Sequence, residues 1–543
     1  MIWDAAANWV VQKLMNEGIL PNLQVLASEG EYSEIQPPYP NCQTPPSLAT
    51  LFTGSSLLKH GITGFRVPNY NNVRFPEVGF NIPLQVETIW EHLNIFGYVS
   101  SFSHIPWVKK KYLSENKNSN YIEGYSSPLL KSGAVRIENI DMDVPMTLNL
   151  ESFTFQITTR NTSVKVKEIS TQKSIDYCYS SNLEFKMFNN KNQGTLIAVY
   201  QDFNQNLYIV HTGIWEVVTH GEFSPDCKTF IGEGLGRLYR SGFFGPKLVE
   251  GGDGFAERCL TDSILQVGKY FAECANNVIQ NSKDSQLVLS YQPCIDDIEH
   301  ELLGWCDPAS NRYSSEHAEA IWSYIKEVYQ FVDNHLGHIK SFLSSGDLLF
   351  VTSDHGMAGV SQMVNINELF RMHGLLSVDS DNCIDLDDSL VIYHPANNGS
   401  IWILNPKLKG DESLIAYKSR IVKSVIDILT HWQEEYGNKV IGEIISLIDK
   451  PREGTDMLGD MLILAAPGYE FSANLQTKGR VVVPFPKTAS HGTYNGLQSL
   501  HGIFVGAIVG STKVSLKKPI NNNQDIFPFI CNYFNLQLPN HLS

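Results

Sequence analysis

The stretch NCQTPPSLATLFTGSSLLKHGITGF, Asn41 to Phe65, decides how this chain is read. Extended, Pro-rich sequence (Gln36-Pro37-Pro38-Tyr39-Pro40) runs into Thr44. Pro45-Pro46 then opens a short helical pattern that Gly54 stops. Proline is tolerated in a first helical turn, where its missing N–H has no partner to lose. Thr44 is therefore expected at or just before a helix N-terminus, where free backbone N–H groups and the helix dipole favour an anion. Its hydroxyl either caps the helix or serves as a nucleophile whose alkoxide and target phosphate are stabilised by the same helix end. Capping preference alone favours the cap.

A chain of 543 residues is too long for one ordinary core, so two domains, or one large domain with an insertion, are expected. Hydrophobic content of 43% and charged content of 18% describe a globular protein. No apolar run reaches the length of a membrane span. The formal charge of -16 argues against binding a nucleic-acid polymer, which needs clustered Lys and Arg. It also sits awkwardly with an anionic substrate, so a phosphate site would need local positive charge, and metal ions are the economical source. The nine cysteines, Cys42, Cys294 and Cys306 among them, form no CxxC pairs. That fits a reducing compartment. The chain opens without a basic n-region and apolar h-region, so the expected location is cytoplasmic.

Apolar spacing predicts a helix over Ile2 to Glu17 and a second from Pro21 to Ala27. Val86 to Phe96 reads as a helix, and Tyr98 to Phe102 as a strand. From Pro145 to Ile169, and again at Gly194 to Tyr200, Leu207 to Thr212 and Ile214 to Val218, apolar and polar residues alternate, which is the pattern of antiparallel sheet. Later, Leu287 to Tyr291, Asp347 to Thr352, Gly459 to Ala466 and Gly502 to Val509 are apolar without alternation and fit a parallel sheet covered on both faces. Helices are expected over Leu260 to Ile279, Ser315 to Leu343 and Asp525 to Phe534. The expected fold is α/β, a doubly wound, mostly parallel central sheet with a β-rich insertion subdomain. The core occupies residues 1–129 and 251–543, and the insertion residues 130–250.

In a doubly wound sheet, functional residues gather past the C-terminal ends of strands. Leu287 to Tyr291 leads into Asp296 and His300, four apart and thus on one face of a helical turn. Asp347 to Thr352 leads into Asp354-His355-Gly356. Ser490-His491-Gly492-Thr493-Tyr494-Asn495 follows the run Arg480 to Pro484. Each motif alone is weak: an i, i+4 Asp/His pair is common on solvated helices, and a lone loop histidine is more often structural than a ligand. Together, carboxylate and imidazole ligands without cysteine suit a catalytic site for two divalent ions, Zn with Mn or Fe as alternatives. Two such ions clamp the attacking and leaving oxygens of a phosphoryl transfer.

TPPSLATLFTG…KHGI, YxPxxDxxxH, SDHGM and SHGTYN, in that order, resemble the alkaline phosphatase superfamily, and within it the type I phosphodiesterase/nucleotide pyrophosphatase family. The resemblance covers residue 1 to about 105 and about 255 to 540. It implies Thr44 as the nucleophile that forms a covalent phospho-enzyme. One metal would be held by Asp296, His300 and His491, and the other by Asp354, His355 and the Thr44 oxygen. The substrate would be a small phosphate mono- or diester, with phosphonate hydrolysis as an alternative activity. Sulfatases of the superfamily need Cys or Ser followed by Pro and Arg, which Cys42-Gln43-Thr44 is not.

Two departures stand out. The family's second metal is also held by an Asp at the end of the first strand. Here Met1-Ile2-Trp3-Asp4 aligns just after that point, so the first strand and its Asp are expected to be missing, with Asp4 inside the first helix. This implies a start upstream of Met1, with room for a signal there, or else a metal-poor relative that binds a phosphorylated ligand without turnover. The second departure is Ser47, at a position where the resemblance implies an Asn that hydrogen-bonds the phosphoryl oxygen. Ser47 can donate one such bond.

Overall fold

A computed structural model describes the chain except for residues 70–71, 126–127, 139–141, 180–182, 229–231, 406–407, 409–411, 449–457, 476–478, 493–495, 512–518 and 543. Thr493, Tyr494 and Asn495 of the SHGTYN run thus lie outside the described residues. The centre is a sheet of β1 (Ile2–Trp3), β2 (Glu31–Ile35), β3 (Ser100–Ser103), β4 (Tyr121–Glu123), β5 (Val218–His220), β6 (Leu287–Gln292), β7 (Leu348–Thr352) and β8 (Gly502–Ile508). Their spatial order is β5-β4-β3-β6-β1-β7-β8-β2. From β4 to β7 every neighbouring pair is parallel. β5, β8 and β2 join antiparallel to their neighbours.

The non-alternating strands are explained by two cores, one on each face. Successive side chains of a strand point to opposite faces. Trp3, Leu349, Val351, Ile503 and Val505 enter one core, against α1 (Asn8–Asn16), α2 (Pro21–Glu29) and α6 (Ser315–Lys340). Ile2, Phe350, Phe504, Phe102 and Leu289 enter the other, against α3 (Thr44–Thr53) and the buried face of α4 (Phe255–Asn281). Both faces are covered, so β7 and β8 are apolar at nearly every position.

The first strand is present, which corrects the expectation from sequence. Ile2 pairs with Tyr291 on one side and Thr352 on the other, filling the place between β6 and β7. The Met1 amine donates to Phe350 O at 2.8 Å, and Thr352 N donates to Met1 O at 3.0 Å. Asp4 is not helical. Ala5 takes a φ of 57°, which breaks the apparent helical run, and α1 begins only at Asn8. A left-handed alanine costs about 1–2 kcal/mol. Here the Ala5 N–H donates to Asp354 Oδ1 at 3.2 Å, and Ala5 to Ala7 are fully buried, which fixes the turn.

The alternating region forms antiparallel sheets. Met146–Leu150, Phe153–Thr159, Ser163–Glu168 and Ser174–Cys178 make one, and Gln193–Gln201 with Leu207–His211 centres another. Phe153, Phe155, Phe188, Ile197 and Ile209 fill the core between them. A further lobe was not anticipated. Val391–Tyr393, Ser400–Ile403, Met461–Ala465 and Ile441–Ser446 form an antiparallel sheet with its own core, under the helix Leu414–Tyr436. The apolar run Gly459 to Ala466 therefore belongs to this lobe and not to the parallel sheet. A strand buried by any two layers looks alike in sequence. Among the described residues no helix is long and apolar enough to cross a membrane.

Candidate active site

Thr44 is the first residue of α3. The capping position falls on Gln43, and no side chain there bonds the helix N–H groups. The Thr44 hydroxyl instead lies 3.3 Å from His355 Nε2 and is buried. The capping reading of Thr44 is thereby removed. The helix end is also a poorer anion site than its position suggests. Pro45 and Pro46 have no N–H, and the Ser47 N–H is bonded to Gln43 O at 3.1 Å, which leaves the Thr44 amide. Ser47 does not face the cleft. It is fully buried, and its hydroxyl donates to Cys42 O at 3.0 Å.

Asp296 and His300 lie one turn apart on α5 (Cys294–Leu302), the helix that follows β6. His491 follows the two-residue strand Ala489–Ser490, which pairs with Ala358–Asn365 and not with the central sheet. Even so, the three meet: Asp296 Oδ1 is 3.4 Å from His300 Nε2 and 3.2 Å from His491 Nε2. A second group sits at the ends of β1 and β7. His355 Nε2 is 3.2 Å from Asp354 Oδ2 and 3.4 Å from Asp4 Oδ1. Within each group the ligand atoms lie within 4.8 Å of one another. Asp4 is the residue that reading the sequence discarded. Its signal is the one carried by the other sites, an acid directly after a buried strand, hidden here because the strand is two residues long.

Hydrogen bonds fix how these rings point. His300 Nδ1 lies 2.8 Å from Ala489 O and His355 Nδ1 lies 3.0 Å from Gly356 O. A carbonyl only accepts, so each Nδ1 carries the proton. In the neutral ring each Nε2 then presents a lone pair to a carboxylate. Two acceptors facing each other repel, and Asp4 Oδ1, Asp296 Oδ1 and Asp354 Oδ2 are buried without a hydrogen-bond partner among the described residues. A buried carboxylate so placed costs several kcal/mol unless it is neutralised. The donor set fits divalent cations, with the outer ring nitrogens anchored to backbone as metal-bound imidazoles usually are.

Electrostatics agree. Burial, then Asp354 and Asp296, push the Asp4 carboxyl well above the usual range, although Tyr291 donates its hydroxyl to Asp4 Oδ2. Burial holds His300 well below the ordinary imidazole value, and burial and then His355 do the same to His491. Burial opposes charge on His355 most strongly, but Asp354, Asp296 and the Gly356 carbonyl together outweigh it and raise that ring.

Above the two groups opens a cleft of about 690 Å³ reached by Thr44, Asp4, Asp296, His300 and His491. Phe65, Phe80, Tyr125, Trp215 and Phe471 give it an aromatic wall. Tyr125 and Trp215 stack at 5.5 Å and 4°. Of the basic side chains in the cleft, Lys131 pairs with Glu233 at 3.1 Å and Arg240 pairs with Glu301, while Lys487 has no ion pair among the described residues.

A comparison with the curated proteins finds no match. Among solved structures, murine ectonucleotide pyrophosphatase / phosphodiesterase 5 is 13% identical over 99% of this chain and 95% of its own, with a TM-score of 0.46. Phosphonoacetate hydrolase from Sinorhizobium meliloti 1021, in complex with phosphonoformate, is 11% identical over 97% of this chain and 93% of its own, with a TM-score of 0.48. The model of the family "Type I phosphodiesterase / nucleotide pyrophosphatase" matches residues 8–103 and 250–496. Those two segments carry Thr44, Asp296, His300, Asp354, His355 and His491 and span more than half of the sequence, so the chain belongs to the type I phosphodiesterase / nucleotide pyrophosphatase family, a family of phosphoric ester hydrolases.

Proposed function

We propose that the protein is a metal-dependent hydrolase of small phosphate esters that works through a phospho-threonine on Thr44. The observation that carries this reading is the Thr44 hydroxyl, uncommitted to its helix and 3.3 Å from His355 Nε2. Asp296, His300 and His491 would hold one divalent ion, and Asp4, Asp354, His355 and the Thr44 oxygen the other, with Zn the expected metal and Mn or Fe alternatives. Bound ions would supply the positive charge that this acidic chain lacks and favour the ionised hydroxyl.

The residues of the chain then divide the work. Thr44 Oγ1 attacks phosphorus, the phosphorus–oxygen bond to the leaving alcohol breaks, and the phosphoryl group stays on Thr44. Water next attacks that phosphorus, releasing the phosphate product and restoring the hydroxyl. Ala489 O and Gly356 O keep the proton of His300 and His355 on Nδ1, so each Nε2 lone pair points into the site. The aromatic wall receives the organic part of the ester. A metal-poor ligand binder draws its support from a missing acid, and the Asp4 carboxylate, 3.4 Å from His355 Nε2, speaks against that reading.

Assay of Zn- or Mn-loaded protein on aryl phosphate mono- and diesters tests this. Saturable release of the aryl alcohol, lost on chelation and restored by metal, is expected. Absence of turnover on both ester classes with metal bound would refute it.

A further inference from the structure

Cys42 and Thr44 are two positions apart, yet their side chains end on different ligand groups. Thr44 Oγ1 meets His355, while Cys42 Sγ donates to the carbonyl of His491 at 3.2 Å. The Cys42 carbonyl accepts the Ser47 hydroxyl at 3.0 Å. The Cys42 and Ser47 side chains are fully buried. Cys42 packs there with Ala358 and Leu500.

His491 is held differently from the other imidazoles. His300 and His355 are each tied by Nδ1 to a backbone carbonyl. The Nδ1 of His491 is buried without a well-formed hydrogen bond among the described residues, although the ring faces the Cys42 backbone carbonyl, which favours its charged form. Its ring is placed by the Cys42 carbonyl and through its own backbone. Upstream that backbone is held by the pairing of Ser490 with Ala358, and at His491 itself by the Cys42 thiol.

We propose that Cys42, braced by Ser47, is a positioning residue that ties His491 to the nucleophile helix and so sets the Asp296–His300–His491 group opposite Thr44. This rests on reading that group as a metal site. Ser47 thereby gains a role away from the phosphoryl oxygen. Groups that orient a metal ligand from behind typically change metal affinity about 10–100-fold when removed.

The test is zinc content and affinity, measured by dialysis against buffers of fixed free Zn, for wild type, Cys42→Ala, Cys42→Ser and Ser47→Ala. Wild type is expected to bind two Zn per chain. Cys42→Ala and Ser47→Ala should each keep one tight Zn and bind the other at least about tenfold more weakly. Cys42→Ser, which restores a donor, should recover part of the loss. Two Zn at wild-type affinity in both Cys42→Ala and Ser47→Ala would overturn the proposal, even with a lowered Tm, since a merely structural role lowers Tm without splitting the sites. Should Cys42→Ala not fold, Ser47→Ala, which removes one hydroxyl, decides alone. Wild type that binds no Zn would overturn the metal reading and this proposal together.

Discussion

The imidazoles of His355 and His491 lie face to face, with 3.7 Å between ring centroids and 16° between planes, although each belongs to a different ligand group. Two imidazolium charges about 4 Å apart would repel by roughly 4 kcal/mol at the effective dielectric near a protein surface. The stack therefore keeps at least one ring neutral, and the two groups share one compact centre beneath Thr44. Six acids and imidazoles from β1, β7, α5 and the Ser490 loop meet in that centre, and a cation joining them would offset the cost of burying them together.

Asp4 gives the first prediction. Asp4→Asn removes a carboxylate buried beside Asp354, so the chelator-treated variant is expected to be more stable than chelator-treated wild type. With Zn the order should reverse. A site at a hundredfold excess of ligand over Kd adds about 2.7 kcal/mol, and a tenfold loss of affinity removes about 1.4 kcal/mol of it. Thermal unfolding with and without Zn measures both. An equal Zn-induced rise in Tm for the two proteins would remove Asp4 from the site.

Thr44→Ala should lower turnover by at least about a thousandfold while leaving Tm close to wild type, because the hydroxyl makes no helix cap. Thr44→Ser keeps a hydroxyl and should retain measurable activity. A Thr44→Ala enzyme within tenfold of wild type would exclude Thr44 as the nucleophile.

His60 sets an acid limit on stability. Its Nδ1 accepts the Ile62 N–H at 3.1 Å, so Nε2 carries the proton and donates to Thr50 Oγ1 at 3.0 Å. Burial lowers its pKa from 6.5 to about 3. The unfolded chain then binds the proton between those values and the folded one does not. The contribution is full above about pH 6.5 and is lost as pH falls toward 3. Tm is expected to be flat above neutrality and to decline through pH 6 to 4, with a shallower slope in His60→Gln. An unchanged slope in that variant would count against the assignment.

The stacked pair Tyr125 and Trp215 should matter for the ester and not for the chemistry. Trp215→Ala is expected to reduce kcat/KM about tenfold for aryl diesters, mostly through KM, and less for small alkyl esters. Equal losses on both would show that Trp215 serves the fold alone.

Much of this was legible in the sequence, for physical reasons. Pro45-Pro46 after an extended Pro-rich run places a helix start, and Asp296/His300 and Asp354/His355 follow strands whose unbroken apolar character marks a sheet covered on both faces. Asp4 was not legible. Its strand is two residues long, Trp3 and Trp9 mimic helical spacing, and the left-handed turn at Ala5 falls at a residue that ordinarily favours helix. Ser47 failed for a different reason: position in a motif does not say which way a hydroxyl points, and Cys42 O takes this one. The run at Gly459 lies in the separate antiparallel sheet and still reads like a parallel strand, because burial between layers erases the alternation that separates antiparallel from parallel strands.

Rapid acid quench of Zn-loaded protein during turnover, followed by mass spectrometry of the peptide spanning Asn41 to Phe65, tests for the phospho-threonine on Thr44. One phosphoryl group on Thr44, forming and decaying at rates that match turnover and absent in Thr44→Ala, is the expected result. Steady turnover with no phosphoryl group on that peptide at any quench time would contradict it.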